Sequence, residues 1–126
     1  MVNVESSMCR RSSAHGYERI VAIAVKNIFA DLPQQIDGEQ FLKLFQTGSA
    51  NIERIVSRSH SSPLNFWYDQ SEDEWVIVLR GEATLEFEVG ERVELKVGDY
   101  LTIPRHVRHR VVSTSEETIW LAMHGN

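Results

Sequence analysis

Cysteine is almost missing from the sequence. The 126 residues include a single one, Cys9, so an internal disulfide is excluded and a metal site built from several thiolates cannot form. A lone cysteine fits a reducing compartment, and we interpret the protein as cytoplasmic. A chain of this length can bury a sufficient core as one domain without a disulfide or a structural metal.

Long hydrophobic runs are also missing. The longest near the N-terminus, IVAIAV at 20–25, is too short to span a membrane, and charged residues lie too close to it for a secretion signal. The formal net charge of -5 argues against nucleic acid as a partner. One basic stretch, RHVRHR at 105–110, is interpreted as a solvated loop rim. We therefore expect neither a membrane nor a nucleic acid as partner.

Hydrophobic periodicity is absent from the beginning of the chain. Residues 1 to about 19 are rich in Ser, Arg and small polar residues, so we predict a flexible N-terminal extension over 1–24 and a single domain over 25–126. Within that domain, GEQFLKLFQTG at 38–48 places apolar residues at helical spacing before a glycine. This pattern predicts a short helix.

From Asn51 onward the sequence changes to short strands that are separated by glycine and proline turns. No helical pattern lies between them, which predicts an all-β antiparallel sandwich or barrel. The strands are predicted near 52–59, 74–80, 83–89, 92–96, 100–103, 108–113 and 117–124.

The strand that begins at Glu74 is apolar on both faces. Alternate side chains of a strand share a face, so Glu74 points the same way as Val76 and Val78, and Trp75 points the other way with Ile77. A strand with two apolar faces is covered on both sides. Glu74 then lies at the mouth of an enclosed space, where a carboxylate is costly without a partner.

The outward face of this strand also needs a cover. Trp75, Ile77 and Leu79 lie on it, and an apolar surface of this kind favours association. We expect a homodimer with two-fold symmetry. The alternative cover is the chain's own helix predicted over 38–48.

Two segments resemble the motifs of the cupin family. In EWVIVLRG, Glu74 and Gly81 are separated by six residues, as at the end of the first motif, G(x)5HxH(x)3-4E(x)6G. GDYLTIPRHVRH follows the second motif, G(x)5PxG(x)2H(x)3N, from Gly98 through Pro104 to His109. The resemblance covers roughly residues 51–124. It implies a cupin fold, an antiparallel double-stranded β-helix or jelly-roll barrel.

The sequence departs from the first motif at its two histidines. A spacing of three residues before Glu74 puts Tyr68 and Gln70 at those positions, and a spacing of four puts Trp67 and Asp69 there. The second motif is also modified, since its inner glycine and its final asparagine are replaced. The resemblance therefore implies only part of the usual set of metal ligands.

The resemblance to the cupin motifs implies a candidate site for a divalent metal ion at the mouth of the barrel. Glu74 and His109 occupy ligand positions of the motifs, and Gln70 or Asp69 would add oxygen. One imidazole with two or three oxygens suits Fe, Mn, Ni or Zn and does not discriminate among them. Such an ion would be the partner that Glu74 needs.

The alternative is a hydrogen-bonded cluster without metal. Glu74 would then pair with His109 or with an arginine of the 105–110 stretch. His60 and His124 are further histidines that could reach the mouth, although a single histidine is more often structural.

Two classes of function stay open. The first is a metal-dependent enzyme, a dioxygenase, isomerase or lyase acting on a small polar metabolite. The second is a non-catalytic cupin that binds a small molecule or a partner protein without metal. The fold does not choose between them, because one fold hosts many functions.

Overall fold

The computed structural model describes residues 7–12 and 18–126, with side chains described from Ala22 onward. The chain divides into two compact units, Met1–Leu32 and Pro33–Asn126. In the first unit, β1 (Ser7–Ser12) and β2 (Glu18–Ile23) form an antiparallel pair. The flexible extension predicted over 1–24 includes residues 1–6 and 13–17, which lie outside the described residues. That prediction, and the boundary at residue 25, stay predictions.

The second unit consists of eight strands in two antiparallel sheets, and no helix occurs in the described part of the chain. The seven strands predicted from residue 51 onward are all present, so the all-β prediction is confirmed. The strands are β3 (Glu39–Gln46), β4 (Ala50–Ser57), β5 (Asp73–Arg80), β6 (Ala83–Phe87), β7 (Arg92–Leu95), β8 (Tyr100–Ile103), β9 (His109–Thr114) and β10 (Thr118–Gly125). One sheet has the order β3-β4-β10-β5-β8, and the other has the order β7-β6-β9.

The short helix predicted over 38–48 is wrong, because this segment forms the edge strand β3. β3 pairs with β4 along its length, so the sheet satisfies its backbone groups on that side. A bulge between Lys43 and Phe45 shifts the register, and a bulge interrupts the alternation of side chains. Phe41 therefore shares a face with Ile55, whereas Phe45 lies on the opposite face. Because the bulge interrupts the alternation, the apolar residues of this strand have a spacing like that of a helix.

The core lies between the two sheets. Glu74, Val76 and Val78 are buried on the inner face of β5, as the alternation predicted. Each fully buried aliphatic side chain stabilises the fold by about 1.5–3 kcal/mol relative to exposure. The buried core residues come from both sheets and are Ile55, Val76, Val78, Ala83, Leu85, Leu95, Ile103, Val111, Trp120 and Ala122.

Gly81 directly follows β5 and has a backbone conformation that favours glycine. Its φ is 77°, and a Cβ at this position would collide with the carbonyl oxygen of Glu117 and the hydroxyl of Ser115. Gly90 also has a positive φ, 102°, but no atom lies within 4 Å of the position of its Cβ. Alanine at Gly90 would therefore have only the cost of the backbone conformation, whereas alanine at Gly81 would also have the cost of the collision.

We expect Gly81→Ala to be more destabilising than Gly90→Ala. Both substitutions place a Cβ on a left-handed backbone, at about 1–2 kcal/mol each. Only Gly81→Ala adds overpacking against Glu117, for roughly a further 1–3 kcal/mol. Urea unfolding of the two variants measures the difference. Equal losses of unfolding free energy would show that close packing at Gly81 contributes nothing.

The outer face of the five-stranded sheet exposes large apolar side chains. Tyr100 is 65% exposed, and its ring centroid lies 5.6 Å from that of Trp75. Met123 pairs with Trp75 across the strands and therefore shares this face, where it is 42% exposed. Leu42 on β3 is 44% exposed on the same face.

We propose that a second copy of the chain covers this face, as the homodimer expected from the sequence. Tyr100→Glu should then convert the dimer to a monomer, because it would bury an unpaired charge at the interface. Val89→Glu is the control, since Val89 is 87% exposed in the turn after β6. Light scattering at tens of micromolar measures the mass. A monomeric wild type, or a Tyr100→Glu variant that stays dimeric, would contradict the proposal.

Candidate functional site

A cavity of about 80 Å³ opens between the two sheets. This is room for several water molecules. Its polar and ionisable side chains are Glu39, Glu53, Tyr68, Gln70, Glu74, His109 and His124. The remaining wall is apolar and consists of Phe41, Ile55, Val76, Leu85, Ile103, Val111 and Trp120.

Glu74 is the most constrained acid of this cavity, because β5 directs it inward and leaves it only 8% exposed. Its carboxylate oxygens lie 3.8 Å from His109 Nε2 and 3.6 Å from His124 Nε2, both beyond hydrogen-bond distance. Burial raises the pKa of Glu74; the charge of His124 opposes this rise, and the charges of Glu53 and Glu39 add to it. Glu74 is therefore buried with weak compensation for its charge.

His109 faces Glu74 as a neutral imidazole. Its Nδ1 lies 2.9 Å from the carbonyl oxygen of Val107. Because a carbonyl oxygen only accepts, Nδ1–H donates this hydrogen bond, and Nε2 of the neutral ring keeps a lone pair. Burial lowers the pKa of His109, and the bond to Val107 opposes that effect. The ring of Tyr68 stacks on the imidazole with centroids 5.6 Å apart. These contacts fix Nε2 toward the cavity.

His124 and Glu53 complete the cluster, and the family motifs include neither of them. His124 Nε2 lies 3.1 Å from Glu53 Oε1. β10 runs between β4 and β5, which places His124 between Glu53 and Glu74. The cluster thus contains two imidazoles and two carboxylates from four different strands.

The residues that could replace the two histidines of the first motif do not all lie in the cavity. Tyr68 and Gln70 line the cavity, and Gln70 Oε1 is buried without a hydrogen-bond partner among the described residues. Asp69 is outside it: its Oδ1 lies 2.9 Å from His106 Nδ1, and its side chain is 48% exposed. The structure therefore brings Gln70 to the predicted site and leaves Asp69 on the rim.

Among the described residues, no lysine or arginine lines the cavity. The arginine partner considered for Glu74 is thus not found there. The arginines of the 105–110 stretch are instead paired with carboxylates elsewhere: Arg105 with Asp73, Arg108 with Glu88 and Arg110 with Glu86.

Glu39 is a third carboxylate on the cavity wall. Its Oε2 accepts a hydrogen bond of 2.9 Å from Ser57 Oγ, and Ser57 Oγ accepts one of 3.1 Å from Trp120 Nε1. Its Oε1 lies 3.2 Å from His60 Nε2, but this contact is not a hydrogen bond. His60 itself does not line the cavity. The hydrogen bond from Ser57 thus fixes the Glu39 carboxylate, which lines the cavity.

Residues 58–124 match the sequence model of the Cupin domain family. This chain belongs to the cupin family. The predicted relationship is confirmed, and the two facing antiparallel sheets are those of the predicted jelly-roll barrel.

This cupin is also similar to solved structures. One is a putative mannose-6-phosphate isomerase from Ralstonia eutropha JMP134, with 41% identity over 82% of this chain and 99% of that chain and a TM-score of 0.78. A cupin superfamily protein from Desulfitobacterium hafniense DCB-2 has 18% identity over 75% of this chain and 83% of that chain, with a TM-score of 0.63. FeII HppE has 15% identity over 75% of this chain and 53% of that chain, with a TM-score of 0.62. The last two likenesses show the fold alone.

Two further comparisons are negative. No protein of curated function matches this cupin in sequence. In the part of the chain that the structure describes, no helix has the length and apolarity needed to cross a membrane.

The raised pKa of Glu74 leads to a pH-dependent prediction for metal-free protein. A raised folded-state pKa means that the ionised carboxylate costs stability above the ordinary pKa of glutamate, about 4.3. Glu74→Gln removes that charge, so in the presence of a chelator it should raise Tm by a few degrees near neutral pH. The gain should vanish in acid, where the wild type is protonated too. Thermal unfolding at a series of pH values measures this.

Asp73, the neighbour of Glu74, provides the control with the opposite sign. Hydrogen bonds from the backbone and side chain of Arg105 lower the pKa of Asp73, so its ionised form stabilises the fold above the ordinary pKa of aspartate, about 3.9. Asp73→Asn should therefore lower Tm near neutral pH, and the loss should shrink as the pH falls. If both variants shifted Tm in the same direction, burial would not be the cause of the Glu74 effect.

Proposed function

We propose that this cupin binds a divalent first-row metal ion at Glu53, Glu74, His109 and His124 and acts on a small polar molecule in the adjoining cavity. One observation carries the proposal: the Glu74 carboxylate is buried, and the imidazole nitrogens nearest to it lie 3.6 and 3.8 Å away. A cation among these groups would compensate the buried charge that the protein compensates only weakly.

The set of donors fits such an ion. Imidazole nitrogen and carboxylate oxygen are ligands that Fe, Mn, Ni and Zn accept. Ligand atoms that bind one ion at about 2.0–2.2 Å lie roughly 3.0–3.5 Å from one another, and the donor atoms here are separated by 3.1, 3.6 and 3.8 Å. No three His, Cys, Asp or Glu side chains among the described residues already surround one point. Binding therefore requires the side chains to rotate toward each other.

The surrounding residues position these groups and the ligand. The hydrogen bond to Val107 orients His109 so that Nε2 is free to coordinate. Burial, with the charges of Glu39 and Glu74, raises the pKa of Tyr68, so its phenol stays protonated and can donate a hydrogen bond. The free Gln70 Oε1 can accept one. A bound ion would supply a Lewis acid that polarises an oxygen of the ligand.

This arrangement supports a metal-dependent dioxygenase, isomerase or lyase. The name of the Ralstonia protein adds weight to an isomerase. No serine or cysteine lines the cavity among the described residues, so covalent catalysis by a serine or cysteine nucleophile is not favoured.

A non-catalytic, metal-free cupin is the second candidate. The observation that favours it is the 3.1 Å hydrogen bond between His124 and Glu53. If His124 is protonated, it supplies positive charge to both Glu53 and Glu74 without an ion.

Metal binding is tested on protein that is purified without a histidine-rich tag or a chelator. The protein should contain a stoichiometric divalent metal. After chelation, added Mn, Fe, Ni or Zn should raise Tm, because a ligand at a hundred times its Kd stabilises the native state by about 2.7 kcal/mol. His109→Ala, His124→Ala and Glu74→Ala should each remove most of the bound metal.

Asp69→Ala is the matched control. Its carboxylate contacts His106 outside the cavity, so this variant should bind metal like the wild type. Loss of metal from Asp69→Ala would show that the ligand set is wrong. If the wild type contains no metal and no added ion moves Tm, the metal proposal fails and the metal-free candidate is favoured.

A further inference from the structure

The charges that line the cavity are unbalanced. Glu39, Glu53 and Glu74 contribute carboxylates, and no lysine or arginine of the described chain lines the wall. A divalent ion at the proposed ligands would balance two of these negative charges. The third carboxylate, Glu39, is not one of these ligands. Its basic neighbour His60 lies outside the cavity wall, with Nε2 3.2 Å from Oε1, so on the cavity side Glu39 meets no lysine or arginine in a largely apolar space, where electrostatic interactions are stronger than in water.

Glu39 is available to a ligand as well as fixed. Its side chain is 10% exposed, and the chain of hydrogen bonds from Trp120 through Ser57 holds only one of its oxygens. His60 approaches the other oxygen from behind the wall. A carboxylate has about four lone-pair sites, so acceptor sites toward the cavity remain.

Aromatic rings surround the same space. Phe41 lies two residues after Glu39 on the inner face of β3, and Tyr68 and Trp120 also line the cavity. Ring faces attract organic cations, and a carboxylate beside them supplies the counter-charge. A neutral sugar can stack on the rings and donate hydrogen bonds to the carboxylate, but it gains no charge–charge attraction from it, and anions are repelled.

We propose that the cavity binds a small organic cation, an amine or ammonium compound, whose charge lies against Glu39 and the rings of Phe41, Tyr68 and Trp120. The inference rests on the proposed function in one respect, since it assigns the ligand of the same cavity. It also predicts that the ligand of this chain differs from mannose 6-phosphate, the sugar phosphate in the name of the Ralstonia protein. A phosphate group in this cavity would face three carboxylates and find no lysine or arginine among the described residues that line it.

Three compounds of similar shape and different charge test the proposal: tetramethylammonium, tert-butanol and pivalate. Each is titrated into chelated protein at constant ionic strength while NMR follows the indole N–H of Trp120, since the carboxylate of pivalate could otherwise bind a metal ion directly. Tetramethylammonium should give a saturable shift with a Kd at least about ten-fold below that of tert-butanol, and pivalate should give none. Absence of tetramethylammonium binding, or equal binding of tert-butanol, would overturn the proposal. Saturable binding of mannose 6-phosphate at Trp120 would do so too.

Glu39→Gln tests the residue itself. The amide oxygen still accepts the hydrogen bond from Ser57, so the variant removes charge and keeps the support. Tetramethylammonium should bind about ten-fold more weakly, whereas Glu94→Gln, a charge removed from the exposed part of β7, should change nothing. Unchanged affinity in Glu39→Gln overturns the assignment. Zinc binding is measured separately, so ammonium binding without zinc binding would end the proposed function and leave this inference standing.

Discussion

The site depends on a carboxylate that the fold removes from water. Glu74 shares the inner face of β5 with Val76 and Val78, and a slip of one residue that exposed the acid would also expose both valines. The apolar core therefore holds the charge in place. A charge held in this way must be compensated by its neighbours, and His109 and His124 are the groups that the adjacent strands bring toward it. Core packing and site chemistry thus come from the same alternation.

The distribution of basic residues strengthens this constraint. The arginines of the 105–110 stretch are close in sequence to His109, yet each is paired with a carboxylate outside the cavity. These ion pairs thus keep the arginine charges outside the cavity. The cavity wall is left with three carboxylates, two imidazoles and, among the described residues, no lysine or arginine, a combination that favours a cation over an anion.

The sequence predicted the elements whose signals are local. Turn residues separated seven strands, and the alternation in β5 gave the direction of Glu74. The spacing before Glu74 left Gln70 and Asp69 as alternatives, because only the pairing of the preceding loop with β9 decides between them. His124 could not be assigned, since β10 is apolar on both faces and alternation alone does not show which face is inside. The error over 38–48 has a comparable cause, a bulge that is visible only when β4 is in place.

The mispredicted strand is also the one that gives the cavity its third acid. As a helix, residues 38–48 would not have been expected to supply a wall to the barrel. As the edge strand β3, they place Glu39 and Phe41 on the inner face. None of the four proposed metal ligands lies on β3. Three of them lie on β4, β5 and β10, which are interior strands of the same sheet, and His109 lies on β9 of the other sheet. An edge strand is bonded to the sheet on one side only, so substitutions there can change the chemistry of the ligand pocket while the cluster around Glu74 keeps its geometry.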